Sequence, residues 1–298
     1  MSSRITEAMT SRLVLSDIQS VAERLSRSQT KLSSGKELTR PSDDPFATSR
    51  ALLHRDELAA NQQYQGNVQD ASAWQSATDT ALGQLGDLAQ RAREIVVRGA
   101  NDTLDATARS AIADELDQIA DGMKGIGNTQ YAGRYIFAGS ATQTPPYAVG
   151  GGDAYAGNAD VLQREIGTGV RVPVNVIGQD VVGDGSTGLL GAIRRAAADL
   201  RAGGSIDALR TTDLQAIDAG SDAVTSTRAV VGARVNRLDA ATDRLQQLEQ
   251  ASTQLLSQTE DADMAKTMID LTMQQSVYQA ALKAGANLIQ PSLMDFLH

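Results

Sequence analysis

The sequence predicts a mainly α fold: a rod of long antiparallel helices packed as a coiled-coil-like bundle, with a small β-rich domain inserted. Proline is absent from residues 46–144 and 174–290, so both stretches can hold long helices. Aromatic residues make up only 3% of the 298 residues, which fits helices packed side by side through small and aliphatic side chains. Twelve of the 26 glycines fall between Gly139 and Gly191, so the middle of the chain is expected to differ from its flanks.

The N-terminal flank carries a helical seam that ends at a glycine. The seam residues Ile18, Val21, Leu25, Ser28 and Leu32 follow one another at alternating spacings of three and four, as in a coiled coil, and all but Ser28 are apolar. The helix is expected to end at Ser33-Ser34-Gly35. A new helix is expected to begin at Asp44-Pro45, because aspartate is a common N-cap and proline suits the first helical position.

The helix that ends at Gly99 and the shorter helix that follows it are predicted to be antiparallel neighbours. The longer one ends at Gly99, and its seam occupies positions 71, 75, 78, 82, 85, 89, 92 and 96. The seam of the shorter one consists of Ile112, Leu116, Ile119, Met123 and Ile126. Asn101-Asp102 is expected to make the turn between them.

The middle of the chain has the pattern of strands. Valines alternate with polar residues from Val170 to Val176, and Pro173 predicts that this strand lies at a sheet edge. Residues 161–166 and 135–137 are expected to be strands as well. We therefore expect a β-rich, outward-facing insertion over residues 135–185.

Helices are expected again after the insertion. One should run from Leu189 to Ala202 and stop at Gly203, and Thr212 with Gln215 has the spacing of a capping box. A long helix should follow to about Thr259, with four leucines on one side: Leu238, Leu245, Leu248 and Leu255. The final helix is expected from near Asp261 to Gln290.

The final helix has two apolar faces and few charges. One seam contains Met264, Met268, Leu271, Gln275, Tyr278, Leu282, Gly285 and Ile289. The second contains Ile269, Met273, Val277, Ala280, Ala284 and Leu288. Between residues 267 and 290 the only charges are Asp270 and Lys283, so this helix needs cover on more than one side. The N-terminal helix can cover one face; the other needs more of this protein, a membrane surface or another protein, unless both faces are ordinary core.

Composition excludes several classes of function. Without cysteine the chain has no disulfide, thiolate metal site or cysteine nucleophile. A net charge of −9 disfavours nucleic acid as a partner. No apolar run is long enough to insert into a membrane, and the N-terminus lacks the apolar segment of a cleaved secretory signal. A lipid-binding amphipathic helix is disfavoured because the final helix lacks a basic polar face.

No catalytic, cofactor or metal site is predicted, and the protein is not expected to be an enzyme. His54-Arg55-Asp56 with Asn61 matches a kinase catalytic loop only superficially, since no glycine-rich loop precedes it. Asp180 and Asp184 lack the spacing of an EF-hand and are expected to be turn residues. With two histidines in the chain, a histidine-based zinc site would need the last residue.

Three segments resemble the flagellin superfamily. Residues 31–45, KLSSGKELTRPSDDP, are similar to its N-terminal signature, and the segment 259–289, beginning TEDADMAKTMIDLTMQQSVYQ, to its C-terminal one. Residues 90–101, QRAREIVVRGAN, resemble the segment through which subunits touch. The resemblance implies an extracellular structural subunit of the bacterial flagellum, exported unfolded and without a cleaved signal peptide. It also implies self-assembly, contacts with a hook-side junction protein and with flagellin, and an export chaperone.

The resemblance also divides the chain and assigns contact residues. Residues 1–40 and 260–298 would form paired terminal helices for assembly, and residues 41–134 and 186–259 a helical rod. Subunit contacts are expected at Ile18, Val21, Leu25, Leu32, Met264, Met268, Leu271, Met273, Tyr278, Leu282, Ile289, Arg91, Arg93 and Glu94. For the last three residues a solvated helix face is the alternative. Ser42, Asp43, Asp44 and Pro45 would form the loop between the terminal helix and the rod. The more charged first helix is expected outside the final one in the assembly.

Two kinds of subunit stay open within the superfamily. The forms GKELTRPSDDP at 35–45, GRYIFAG at 133–139 and PSLMDFL near the end are closer to subunits of the hook–filament junction. The start, Ser3-Arg4-Ile5-Thr6-Glu7, departs from the Ile-Asn-Thr-Asn motif of filament subunits. Short flagellins share part of this pattern, so a filament subunit remains the alternative.

Overall fold

The structure is a computed structural model that describes residues 3–101, 104–203 and 206–289, without the side chains of residues 3–8, 10, 206 and 287–289. Its helices are α1 (Ser3–Ser34), α2 (Pro45–Gly99), α3 (Ala106–Gly127), α4 (Gly178–Val181), α5 (Gly188–Arg201), α6 (Ile206–Ala208), α7 (Leu214–Glu260) and α8 (Met264–Ile289). Its strands are β1 (Gln130–Tyr131), β2 (Arg134–Tyr135), β3 (Gln163–Gly167) and β4 (Val170–Pro173). The mainly α fold with a small β region is confirmed.

The chain divides into two compact units. The terminal unit consists of residues 1–60 and 248–298, and the central unit of residues 61–247. The terminal unit therefore contains α1, α8, the first turns of α2 and the last turns of α7. The central unit contains the β region and the shorter helices.

Both predicted helix boundaries near the N-terminus are confirmed. α1 ends at Ser34, and Gly35 follows with a φ of +71°, a conformation that glycine adopts without a Cβ clash. α2 begins at Pro45, and the Asp44 Oδ1 atom accepts a hydrogen bond of 2.9 Å from the backbone N–H of Ala47. Asp44 is therefore the N-cap that the sequence predicts.

The core of the central unit lies along α2. All eight residues of its predicted seam are buried: Ala71, Gln75, Thr78, Leu82, Leu85, Ala89, Ala92 and Val96. α3 packs on this seam in the opposite direction, since a Cβ on Gly99 would lie 3.2 Å from Ile112 and one on Gly122 would lie 3.5 Å from Leu88. The predicted antiparallel pair is confirmed, although Asp102 of its turn lies outside the described residues.

α7 also runs antiparallel to α2. The Asn61 Nδ2 atom donates to the carbonyl of Leu245 at 2.8 Å, and the Arg228 Nε atom donates to Asp79 Oδ1 at 2.8 Å. Leu238 and Leu245 are buried, whereas Leu248 and Leu255 are exposed to 47% and 46%. The predicted leucine row is thus covered along only its first half.

The β region is smaller than the sequence predicts. β1 pairs with β2 and β3 with β4, both antiparallel, so each sheet has two strands and Pro173 lies at an edge as expected. The strand expected over 135–137 is reduced to Tyr135, because Ile136 and Phe137 are buried in the core beyond β2. Gln75 of α2 donates to the carbonyl of Val174 at 3.0 Å, which fixes the end of β4 on the helices.

An ion-pair cluster joins α3, α5 and the loop before β3. The guanidinium of Arg194 contacts Asp117 Oδ1 at 2.6 Å, Asp121 Oδ1 at 2.6 Å and Asp153 Oδ2 at 2.8 Å. Burial by itself raises the pKa of Asp153, but hydrogen bonds from Arg194 and Lys124 outweigh burial and hold that pKa below its ordinary value. The cluster therefore anchors a glycine-rich loop, residues 150–152, whose backbone alone specifies no conformation.

The predicted capping box at Thr212 and Gln215 is wrong. The backbone is already helical from Ile206, and Thr212 lies inside a π-helical turn, Leu209–Asp213, that leads directly into α7. Leu209 is buried, so packing of this turn extends the helix past the capping position. The turn also buries Asp213, whose Oδ1 atom lies 3.8 Å from Arg195 Nε.

Candidate assembly surface

The terminal unit is built on an antiparallel pair, α1 and α8. The predicted α1 seam faces α8: Val21 is buried, and Ile18, Leu25 and Leu32 are half-buried. On α8 the covered side contains Thr267, Leu271, Gln274, Tyr278, Ala281 and Gly285, which again alternate spacings of three and four. The pair is therefore held by one seam from each helix.

α8 begins at a defined cap. The Asp263 Oδ1 atom accepts hydrogen bonds from the backbone N–H groups of Ala265 at 3.0 Å and Lys266 at 3.1 Å. The helix therefore starts at Met264, slightly later than the start near Asp261 that the sequence predicts.

Gly285 lets the two helices approach closely. A Cβ at this position would lie 3.1 Å from the Cδ1 atom of Ile18 and 3.3 Å from the Cγ1 atom of Val14. The sequence pattern assigns Gly285 to the seam but gives no reason for a glycine there. The close approach supplies that reason.

The side of α8 that faces away from α1 is apolar and exposed. Ile269, Met273 and Val277 recur every four residues, lie opposite the covered seam and are exposed to 69%, 61% and 38%. Met264, Met268 and Leu282 lie along the edge of the covered seam and are 44–58% exposed. We call these six residues the outer face of α8. Ile269, Met273 and Val277 are neighbours on the helix surface, and an exposed apolar row of this kind marks an interaction surface.

The predicted contact residues of the two terminal helices thus fall into two groups. Ile18, Val21, Leu25, Leu32, Leu271 and Tyr278 lie between α1 and α8, whereas Met264, Met268, Met273 and Leu282 lie on the outer face. The side chain of Ile289 lies outside the described residues. The sequence reasoning missed Val14, which extending the α1 seam by one repeat would have identified. It also missed Thr267 and Gln274, because the predicted α8 seam took the adjacent residues Met268 and Gln275, which are exposed.

The loop before α2 is stabilised by its own aspartates. The Asp43 Oδ2 atom accepts hydrogen bonds from the backbone N–H of Arg40 at 3.0 Å and from the Thr39 hydroxyl at 3.1 Å. Ser42, Asp43, Asp44 and Pro45 are all exposed. The loop is therefore ordered locally and leaves its surface free for a neighbour.

The polar contact residues predicted on α2 have partners within the chain. The Arg91 Nη2 atom lies 2.6 Å from Glu115 Oε1 and its Nη1 atom lies 3.5 Å from Glu94 Oε2. The Arg93 Nε atom lies 2.7 Å from Asp218 Oδ1. About half of each arginine side chain stays exposed, so contacts with a neighbouring subunit are compatible with these pairs.

A groove of about 620 Å³ between α1 and α8 carries charges of both signs. Its α1 side is basic, with Arg24, Arg27 and Lys31, and its α8 side contains Asp263, Lys266 and Asp270. Mixed charges of this kind favour register and orientation of a partner more than affinity.

Within the described ranges, no group of three or more histidine, aspartate or glutamate side chains is arranged to hold a metal ion. The described helices include none that is long and apolar enough to cross a membrane. His54 and Arg55 lie inside α2, where the His54 Nδ1 atom is 3.2 Å from Glu57 Oε2 and Arg55 pairs with Glu260.

The fold and its exposed face define the class first: a helical structural subunit in which the first and last helices pair. Comparison with known proteins then gives the family. The models of the bacterial flagellin N-terminal and C-terminal helical regions match residues 5–142 and 214–297, which together make up most of the chain. The protein belongs to the bacterial flagellin family and is a flagellar component.

Three known proteins are similar to this chain over most of its length. The chain is 28% identical over 287 residues to flagellar hook-associated protein 3 of Escherichia coli, covering 89% of this chain and 90% of that one. It is also 28% identical over 286 residues to Bacillus subtilis flagellin, covering 90% of each. A solved structure assigned to a flagellar hook-associated protein of Vibrio parahaemolyticus is 26% identical, with a TM-score of 0.67, and covers 74% of this chain and 100% of that one.

Proposed function

We propose that the protein is a structural subunit of the bacterial flagellum that acts as an adaptor at the hook–filament junction and assembles through α1 and α8. The observation that carries this proposal is the outer face of α8, which is apolar and exposed in the single chain. Contact with a neighbouring protein would remove this apolar face from water and so stabilise an assembly. The likeness to hook-associated proteins supports a flagellar protein as that neighbour.

The two terminal helices take different layers of the assembly. The exposed surface of α1 is mixed: it carries many charged residues and also three exposed apolar ones, Met9, Leu13 and Leu15. The exposed charged residues of α1 include Arg12, Asp17, Glu23, Arg24 and Arg27, whereas α8 carries fewer charges and its outer face is apolar. Burial of apolar surface is favourable in free energy, whereas burial of charged surface is unfavourable because the charges lose their hydration. We therefore assign α8 to the inside of the assembly and α1 to the outside.

The remaining segments take the roles that the family resemblance implies. Residues 1–40 and 260–298 serve assembly, residues 41–134 and 186–259 form the helical rod, and residues 135–185 face outward. The loop Ser42–Pro45 and the set Arg91, Arg93 and Glu94 contact neighbouring subunits. The protein is structural and not catalytic.

An adaptor at the junction has two different neighbours besides itself. A hook-side junction protein lies on one side and flagellin on the other, so the subunit matches two lattices. The subunit is exported to the outside of the cell with the help of an export chaperone.

The second candidate is flagellin itself. It is supported by the identity to Bacillus subtilis flagellin, which extends over the same share of the chain as the identity to the hook-associated protein. The assembly mechanism through α1 and α8 would be the same, and only the position of the subunit along the flagellum would differ.

Immunogold electron microscopy of intact flagella, with antibody against residues 140–185, separates the candidates. We expect label in a band where the hook meets the filament. Label along the whole filament would show that the protein is flagellin, and flagella without label would contradict both proposals. A strain producing the chain without residues 264–298 should give no band, although its central unit stays folded.

A further inference from the structure

The two helix breaks of the terminal unit lie side by side. The connection from α1 to α2 (35–44) and the connection from α7 to α8 (261–263) form an isolated antiparallel bridge between Lys36 and Asp261. The backbone N–H of Glu37 donates to the carbonyl of Glu260 at 2.7 Å, and that of Ala262 donates to the carbonyl of Gly35 at 2.9 Å. The two connections are therefore tied to each other rather than to solvent.

A buried carboxylate reinforces this bridge. Only 3% of the Glu260 side chain is exposed, and its Oε1 atom accepts hydrogen bonds from Lys36 Nζ and from Arg55 Nη2. Lys36 belongs to the first connection, Glu260 ends α7 and Arg55 lies in α2. One side chain thus joins three chain segments. We call Glu260, Lys36 and Arg55 the clasp.

The clasp lies at the two connections that set the direction of the α1–α8 pair. Within the terminal unit α1 packs against α8, and along the chain the two connections join this pair to the start of α2 and the end of α7. A glycine with a positive φ, Gly35, ends α1, and neither connection contains a helix. Without the clasp, these segments would leave the direction of the α1–α8 pair weakly specified.

Because Glu260 is buried, opening the clasp is energetically costly. A buried carboxylate is stable only while its charge is compensated, so opening the clasp would leave the buried carboxylate of Glu260 without its two cations. Charge-assisted hydrogen bonds are also stronger and more directional than neutral ones. The arrangement therefore favours one orientation of the pair over a range of orientations.

We propose that Glu260 is a positioning residue for assembly: through Lys36 and Arg55 it locks both connections and so fixes the direction of the α1–α8 pair relative to the first turns of α2 and the last turns of α7 in the terminal unit. That the clasp fixes this direction does not depend on the proposed function. The effect of the clasp on assembly rests on the proposed function. A subunit with an open clasp still presents the outer face of α8, but in several directions, and fits its neighbours less often.

The test measures direction in the isolated full-length chain. Because the chain contains no cysteine, spin labels can be attached to cysteines introduced at chosen exposed positions. One pair, Ser26→Cys with Ala59→Cys, reports on α1 relative to the base of α2. A second pair, Ser26→Cys with Ser276→Cys, reports on packing within the α1–α8 pair. Distances are measured by pulsed electron paramagnetic resonance with and without Glu260→Gln.

We expect Glu260→Gln to broaden the Ser26–Ala59 distance distribution and to leave the Ser26–Ser276 distribution unchanged. Amide exchange at Glu37 and Ala262 should become about tenfold faster, as expected when hydrogen bonds to a charged group are lost. Glu57→Gln is the matched control: this glutamate lies on α2 close to Arg55, is 61% exposed and should change neither measurement.

Lys36→Met provides a second variant that keeps the carboxylate and one of its cations. It should broaden the same distribution to a smaller extent, since Arg55 still binds Glu260. Unchanged Ser26–Ala59 distances in both variants would overturn the proposal. Broadening of both label pairs in Glu260→Gln would show loss of folding instead of loss of direction and would equally overturn it.

Incorporation into flagella supplies the second readout. If the proposal is correct, Glu260→Gln reduces the amount of subunit at its site, whereas Glu57→Gln does not. Wild-type protein that never localises to flagella would contradict the proposed function while leaving the distance result valid. Broadened distances with normal incorporation would overturn the positioning role itself.

Discussion

α2 and α8 use the same heptad spacing, but the structure covers them very differently. Every seam residue of α2 from Ala71 to Val96 is buried, whereas three residues of the second α8 stripe, Ile269, Met273 and Val277, are exposed. α2 meets α3, α7 and the end of β4 within the central unit, while α8 meets α1. The comparison shows that apolar periodicity predicts which face of a helix is stabilised by burial. The number of neighbouring elements decides whether that face is buried within the same chain.

A charge on the outer face of α8 should have the largest effect, because it acts on every copy in an assembly. We expect Met273→Asp to abolish incorporation into flagella, since a carboxylate would be buried without a partner. The unfolding free energy of the isolated chain should change by less than about 0.5 kcal/mol, as for other exposed positions. Immunogold counting and urea unfolding measure the two quantities.

Gln29→Asp is the control for this prediction, because it introduces an aspartate at an exposed position of α1, away from the outer face of α8. It should assemble normally. If Met273→Asp incorporated as well as Gln29→Asp, the outer face of α8 would not be an interface.

A truncation in the α2 seam should have the opposite signature. Leu85 is fully buried, so Leu85→Ala should lower the unfolding free energy by about 2–5 kcal/mol. Urea unfolding followed by the fluorescence of Trp74, the single tryptophan, reports on the central unit directly. Gln84→Ala, on the exposed side of the same turn, should change stability little; equal losses in the two variants would contradict the assignment of the core.

The buried carboxyl of Asp213 should give a pH-dependent effect of intermediate size. Burial, with the neighbouring Asp199 as a second cause, raises the pKa of Asp213 to about 6. The ordinary pKa of aspartate in an unfolded chain is about 3.9. The folded state therefore binds the proton more tightly, and stability falls as pH rises from about 4 to about 6 and then levels off.

Asp213→Asn removes this titration, because asparagine is neutral at every pH in this range. We expect the variant to be more stable than the wild type at pH 8 by about 1–3 kcal/mol, with the difference disappearing near pH 4. Thermal unfolding across pH measures the difference. Asp222→Asn, at an exposed position of α7, should show the same dependence of stability on pH as the wild type. If Asp213→Asn were less stable than the wild type at pH 8, the predicted sign of the effect would be wrong.

Gly285→Ala should have the smallest effect on stability. Alanine favours a helix over glycine by about 1 kcal/mol, while its Cβ would crowd Ile18 and Val14. The two terms oppose each other, so the net change should stay below about 1 kcal/mol. The distance between labels at Ser26 and Ser276 should nevertheless increase, and an unchanged distance would show that the close approach at Gly285 is not required.

Much of the helical fold could be predicted because its signals are local. Gly35 and Asp44 end and begin helices through their own backbone and side-chain geometry, and the α2 seam repeats for seven turns. The capping box at Thr212 failed because the burial of Leu209 outweighed a local hydrogen-bond preference. The strand at 135–137 was predicted too long because burial of Ile136 and Phe137 required apolar side chains without requiring a ladder.

The candidate surface divides in the same way. The sequence alone determined that α8 has two apolar faces and that α1 can cover one of them, since both follow from residue spacing on a helix. Only the tertiary structure decided which face α1 covers, how Gly285 admits the close approach, and that Glu260 joins Lys36 to Arg55. The physical reason is separation along the chain: a periodic pattern specifies a face, but a contact between residues 36, 55 and 260 depends on how the chain returns to itself.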